Sequence, residues 1–169
     1  MTSTNLRQGI EYDPREWFGH DFPEHFKKEV PWFNEILFDD KTRTHKGIKY
    51  RVLRMPDGYW NGYVFLPKGH FLYGKLYYDE EIENLNVHGG ITYSNFDYGE
   101  GSSWMLGFDT SHWYDHAPRD KCRSLDAFYI AVKNYKTYSY VVKETKKLIK
   151  DIKMKESAFN FCIRRKNEH

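Results

Sequence analysis

Two runs constrain this chain more than any others: Val87-His88-Gly89-Gly90-Ile91-Thr92-Tyr93-Ser94 and Trp104-Met105-Leu106-Gly107-Phe108-Asp109-Thr110-Ser111-His112-Trp113-Tyr114-Asp115. Both read as buried strands whose ends carry groups able to bind or react. In the first, Val87, Ile91 and Tyr93 supply β-branched and aromatic bulk, while the glycine pair predicts a bulge or a close approach of a ligand to the backbone. In the second, the apolar run Met105 to Phe108 stops at Asp109, and His112 and Asp115 follow. A polar cluster at the end of a core strand is where binding sites tend to sit.

The chain has 169 residues, the usual size of one domain, and is long enough to bury a sizeable core. Aromatic residues make up 18%, so much of that core must be ring packing, with Tyr hydroxyls and Trp nitrogens seeking partners. The net charge of +2 hides a split: residues 133–166 carry eleven Lys and Arg against three Asp and Glu, a net +8, and the rest of the chain a net −6. Lys-rich helix faces are usually just solvated. Two cysteines, Cys122 and Cys162, make neither a disulfide framework nor a zinc site. No leader-like apolar segment opens the sequence and no run approaches membrane-spanning length, so the expectation is a cytoplasmic protein that does not engage the membrane.

Along the chain, Tyr12 to Phe38 alternates aromatic bursts with prolines and reads as a capping arm, with a short helix from Pro31 to Phe38 that turns Trp32, Phe33 and Ile36 inward. Asp39 to Gly47 reads as a charged turn. Ile48 to Arg54 and Gly62 to Leu66 predict a hairpin closed at Pro56-Asp57-Gly58. Pro67 to Lys75 is a glycine-bracketed loop holding His70, Tyr73 and Lys75, Asp79 to Glu83 a solvated link, and Asn95 to Ser103 a loop between the two core strands. Ser124 to Asn134 fits either a helix or a strand. Thr137 is placed to cap a helix whose apolar positions run Tyr138, Val141, Val142, Thr145, Leu148, Ile149 and Ile152, with Lys143, Lys146, Lys147, Lys150 and Lys153 outward. Phe159, Phe161 and Ile163 alternate with polar residues and predict a short final strand. The whole predicts a single α+β domain: an aromatic arm over 1–45, a mostly antiparallel sheet over 46–115, and, over 116–169, a long C-terminal helix packed on one face followed by that strand.

Gly62-Tyr63-Val64, Pro67-x-Gly69-His70-x-Leu72-Tyr73-Gly74-Lys75, Val87 to Ser94, Trp104-x-x-Gly107-Phe108-Asp109-x-x-His112 and a C-terminal helix begun at Tyr135 and containing Glu144 together resemble a widespread family of small bacteriophage and prophage proteins of unassigned function. The resemblance runs from about Gly62 to Ile152. Thr110-Ser111 stand where the family commonly has Cys-Ala, Tyr135-Lys136-Thr137 replaces Tyr-Arg-Asp, and the arm before Asp39 is extra. The resemblance implies a phage origin. By analogy with stand-alone phage proteins that intercept host alarm nucleotides, it suggests an anti-defence role.

His88 beside Gly89 and Gly90 offers an imidazole next to unobstructed backbone N–H groups, a pattern suited to phosphate. Thr92 and Ser94, four and six residues further on, fall on the same predicted strand face, and Asp109 and His112 would complete a pocket from the neighbouring strand. The bland alternative is a buried network in which His88 and Asp109 satisfy each other. Three uses of a pocket compete. In binding without turnover, His88, Thr92 and Asp109 hold ribose and phosphate while Tyr73, Trp104 or Tyr138 stacks on a base. In phosphodiester cleavage, His88 and His112 act as base and acid, with Asp109 beside them and Lys75 steadying charge. In a metal hydrolase, His88, Asp109, His112 and Asp115 act at a loose Asp-x-x-His-x-x-Asp spacing. Binding needs the fewest assumptions. It requires no cofactor and no metal, and its partner is a small nucleotide-derived ligand, with a homo-oligomer left open. A further alternative is a macromolecular partner, nucleic acid or an acidic host protein, met by the Lys-rich C-terminal helix, though no helix-turn-helix, zinc finger or RNP-like run supports nucleic acid.

Overall fold

A computed structural model describes residues 30–35, 39, 41–97, 102–120 and 124–167. The elements in chain order are α1 (Pro31–Asn34), β1 (Arg43–His45), β2 (Ile48–Arg54), β3 (Trp60–Leu66), α2 (Glu80–Glu83), β4 (Tyr93–Asp97), β5 (Ser103–Phe108), α3 (Leu125–Asn134) and α4 (Tyr138–Asn167). The strands form one five-stranded sheet, ordered β1-β2-β3-β5-β4, antiparallel at every pairing whose register is defined. With the long C-terminal helix this is the α+β class that the patterning predicts.

The chain divides into two compact units. One comprises the described residues up to Lys41 with Val52–Asn61 and Thr110–Val141, and the other comprises Thr42–Arg51, Gly62–Asp109 and the chain from Val142 onward.

In the second unit, sequence dictates packing through two glycines. Gly62 on β3 pairs with Phe108 on β5, and Tyr63 pairs with Gly107, so each glycine lies opposite a ring. A Cβ on Gly62 would meet the Phe108 ring, with Cζ at 2.7 Å, and the Thr145 hydroxyl of α4; one on Gly107 would fall 2.5 Å from Tyr63 Cδ1. The rings thus occupy the space that side chains would fill, on opposite faces of the sheet. On the Gly62 face, Val64, Leu66, Leu106 and Phe108 are buried with Thr145, Leu148, Ile149 and Ile152 of α4. These helix positions recur every three or four residues, and this matches one stripe to one sheet face.

In the first unit, Glu35 organises a polar core. Its Oε2 accepts from Trp60 Nε1 (3.0 Å) and the Tyr135 hydroxyl (2.6 Å), and its Oε1 accepts from the Tyr138 backbone N–H (2.7 Å). A carboxylate is thereby held at the start of α4, where the helix dipole favours it. The Tyr138 hydroxyl donates to Asp39, and Thr137 Oγ1 accepts from Tyr140 N (3.2 Å), the expected cap. Arg54 is buried, donating to the carbonyls of Gly58 and Trp32 and lying over the Trp60 ring. Burial raises the Tyr135 phenol well above its ordinary range, so it stays a donor.

Several local expectations are corrected. Val87 to Thr92 is not strand: Gly89 and Gly90 both take positive φ (64° and 84°), so the chain turns there and β4 begins only at Tyr93. β4 then runs on to Asp97, through residues expected in a loop. Arg43–His45 forms an edge strand where a charged turn was expected, because its backbone completes a ladder with β2. The predicted final strand is helix, since α4 continues unbroken to Asn167. Ser124 to Asn134 resolves as helix, with the Ser124 hydroxyl accepting from Ala127 N. The first helix is only Pro31–Asn34, with Trp32 buried as expected; Ile36, Phe38 and the arm before Val30 lie outside the described residues.

Candidate functional site

The second unit brings together part of the expected site. Gly90 N–H donates to Val87 O (3.1 Å), closing a tight turn over Val87, His88, Gly89 and Gly90. His88 N–H donates to Glu144 Oε2 (3.1 Å), and Lys147 Nζ reaches the same oxygen at 3.3 Å. Glu144 is buried on α4. The anion that the His88 backbone meets is therefore the chain's own carboxylate, and the turn is pinned to the helix by it. Glu144 lies 56 residues from His88, a separation that leaves no local signal in the sequence.

Thr92 N–H donates to Gly107 O (2.9 Å), extending the β4–β5 ladder one residue past the strand, and its hydroxyl donates to Asp109 Oδ2 at 2.7 Å. Thr92 is exposed and Asp109 half-buried, so this pair forms a polar rim at the end of β5. The space in front of Gly90 Cα is open. Because His88 lies in the turn, the two-residue alternation that would align it with Thr92 and Ser94 does not apply; Thr92 and Asp109 are the directly bonded pair. Ser94 Oγ accepts from Tyr77 N (3.0 Å) and fixes the neighbouring loop.

The glycine-bracketed loop serves its own geometry. His70 Nδ1 accepts from Leu72 N (3.2 Å), with Glu156 Oε1 3.7 Å from Nε2. Burial lowers the His70 pKa against the opposing pull of Glu156, so the ring is held neutral. Lys75 pairs with Glu81 at 2.7 Å, and that hydrogen bond raises the ammonium's pKa. Tyr73 donates to Ser102 O, and Trp104 Nε1 donates to Lys75 O. Trp104 is buried, so its face is not open for stacking; the exposed ring against it is Phe96, edge-on at 4.8 Å. Phe96, with the exposed pair Tyr77 and Tyr78, supplies the aromatic surface that the sequence assigned to Tyr73 and Trp104.

A recess in the same unit lies elsewhere on the sheet, between Thr42, Lys49, Arg51, Phe65, Asp97 and Ser103, with the Arg51 guanidinium over the Phe65 ring.

In the first unit, His112 belongs to a turn closed by Asp115 N–H donating to His112 O (2.8 Å). Asp115 Oδ2 accepts from His112 N (3.2 Å) and lies 3.3 Å from its Nδ1, while Lys136 Nζ is 3.2 Å from Oδ1. The Asp115 side chain is fully buried, and because a carboxylate only accepts, its contact with Nδ1 suits the tautomer that carries the proton there. Trp113, 93% exposed, and Tyr114 project from the turn's centre, with Tyr114 stacked on His112. Thr110 is buried; its hydroxyl donates to Trp60 O (2.9 Å), a structural use. Tyr138 is engaged with Asp39 and packs edge-on against Trp60 rather than serving as a stacking surface.

No described helix is long and apolar enough to cross a membrane. No protein-family model, curated protein or solved structure matches the chain.

Proposed function

We propose that the chain is a phage-type small protein that binds a nucleotide-derived signalling molecule, cyclic ADP-ribose-like or a cyclic nucleotide, and so blocks host antiviral defence by sequestration. The observation that carries this reading is the Thr92–Asp109 pair on an open rim. A carboxylate oriented by a neighbouring hydroxyl is a natural acceptor for sugar hydroxyls, and the absence of a Cβ on Gly90 leaves room for them. From Thr92 to the exposed Phe96 the strand rises about 13 Å, which suits a ligand with more than one ring. The pinning of His88 N–H by Glu144 shifts recognition from phosphate toward sugar and base.

Thermal melts with cyclic dinucleotides and cyclic ADP-ribose test it. Binding at a hundredfold excess over Kd adds about 2.7 kcal/mol, and Asp109→Ala abolishes the shift while keeping the fold. If no nucleotide raises the melting temperature, sequestration is wrong. Heating the complex and chromatographing the released ligand addresses a second reading, hydrolysis, which the buried Asp115 behind His112 favours. Intact ligand means sequestration; altered ligand, with turnover lost in His112→Ala, means catalysis.

A further inference from the structure

The outer end of α4 carries apolar side chains that its own unit leaves exposed. Along the helix, Thr145, Ile149, Ile152, Glu156, Phe159, Ile163 and Lys166 recur at alternating four- and three-residue steps, the spacing that keeps one seam on one side of a helix. The inner part of this seam, Thr145, Ile149 and Ile152, is fully buried within its unit. The outer part is not: every residue from 157 to 166 is exposed, and Phe159 and Ile163 remain 45% and 41% accessible although Phe71 stacks on Phe159 at 5.3 Å. Beyond Ile152 the apolar members of this seam are Phe159 and Ile163, a surface that water alone does not favour.

We propose that this end of α4 pairs with a second copy of the chain, antiparallel, about a two-fold axis passing beside Phe161. In that register Phe159 meets the partner's Ile163, and Ile163 meets the partner's Phe159. On either side, Glu156, whose Oε2 meets Lys153 Nζ of its own helix at 2.7 Å, turns that carboxylate to the partner's Lys166 as well. Two apolar layers are thus closed by two opposite-charge layers. A parallel pairing stacks like on like, setting Glu156 against Glu156 and Lys166 against Lys166, so charge selects the antiparallel arrangement. The seam is short, well below the roughly 800 Å² per partner of a standard interface. The dimer is accordingly weak and concentration-dependent.

Sedimentation equilibrium of the full chain from micromolar to millimolar concentration tests this. The mass should rise from 20.4 kDa toward twice that value. Ile163→Asp, at an exposed position, should hold the chain monomeric with an unchanged melting curve. Lys166→Glu should weaken association at least tenfold, and adding Glu156→Lys should restore it. A chain that stays monomeric throughout, a dimer that survives Ile163→Asp, or a dimer that Lys166→Glu does not weaken each overturns the proposal.

Discussion

Replacing Gly62 with Ala isolates the packing logic of the sheet. Strand glycine is normally a weakness, and adding a methyl where φ is ordinary gains about 0.4–1 kcal/mol by restricting the unfolded chain. Here the new Cβ meets Phe108 Cζ at 2.7 Å together with the Thr145 hydroxyl, both on side chains that are almost wholly buried. Neither neighbour has a solvent-side path of retreat, so overpacking of about 1–3 kcal/mol outweighs the entropic gain. For a chain of this size, each kcal/mol moves the melting temperature by roughly 2–4 °C. Urea unfolding followed by circular dichroism should show a lower midpoint with unchanged slope. Gly107→Ala should cost less, because the Tyr63 ring it meets packs edge-on against the half-buried Tyr93 and has more freedom to shift. Adding Thr145→Ala to Gly62→Ala should recover part of the loss, a coupling opposite in sign to simple additivity. A Gly62→Ala protein as stable as the parent, or more so, would refute the claim that ring-filled space rather than backbone freedom requires glycine there.

Three further outcomes follow from the polar groups. Tyr135→Phe removes a charge-assisted hydrogen bond to Glu35 and should cost about 1.5–3 kcal/mol in urea unfolding; a loss below 0.5 kcal/mol, on the order of a surface change, would show that Trp60 and the Tyr138 N–H satisfy the carboxylate without it. His70 and His116 both have pKa values lowered from 6.5 chiefly by burial, so the fold favours their neutral rings. That stabilisation is complete above 6.5 and is lost as pH falls through the folded values. Melting temperature should therefore fall on acidification below that point, less steeply in His70→Leu than in the parent once their neutral-pH values are aligned; identical slopes would remove His70 from the account. Thr137→Ala removes the α4 cap and should cost about 1 kcal/mol, seen as a lower urea midpoint; no change would mean that the Glu35 contact suffices.

What the sequence determined alone was whatever is periodic or local. The stripe from Val141 to Ile152 and the cap at Thr137 announce α4, the turn at Pro56-Asp57-Gly58 announces the β2–β3 hairpin, and the run from Met105 to Phe108 announces β5. The alternation of Phe159, Phe161 and Ile163 misled, because two-residue spacing over five residues also fits a helix with apolar groups on more than one side, and helix continuity outranks it once a long helix is nucleated. Of the candidate site, the residue types at Thr92 and Asp109 were legible, but their bond depends on β4 and β5 pairing across a sheet. It takes the folded chain to show that Glu144, 56 residues from His88, pins the turn that Gly89 and Gly90 allow, and that Gly62 and Gly107 each lie opposite a ring. A hydrogen bond or a filled space between distant residues leaves no periodic trace in the chain, because it is set by which surfaces meet and not by which residues are neighbours.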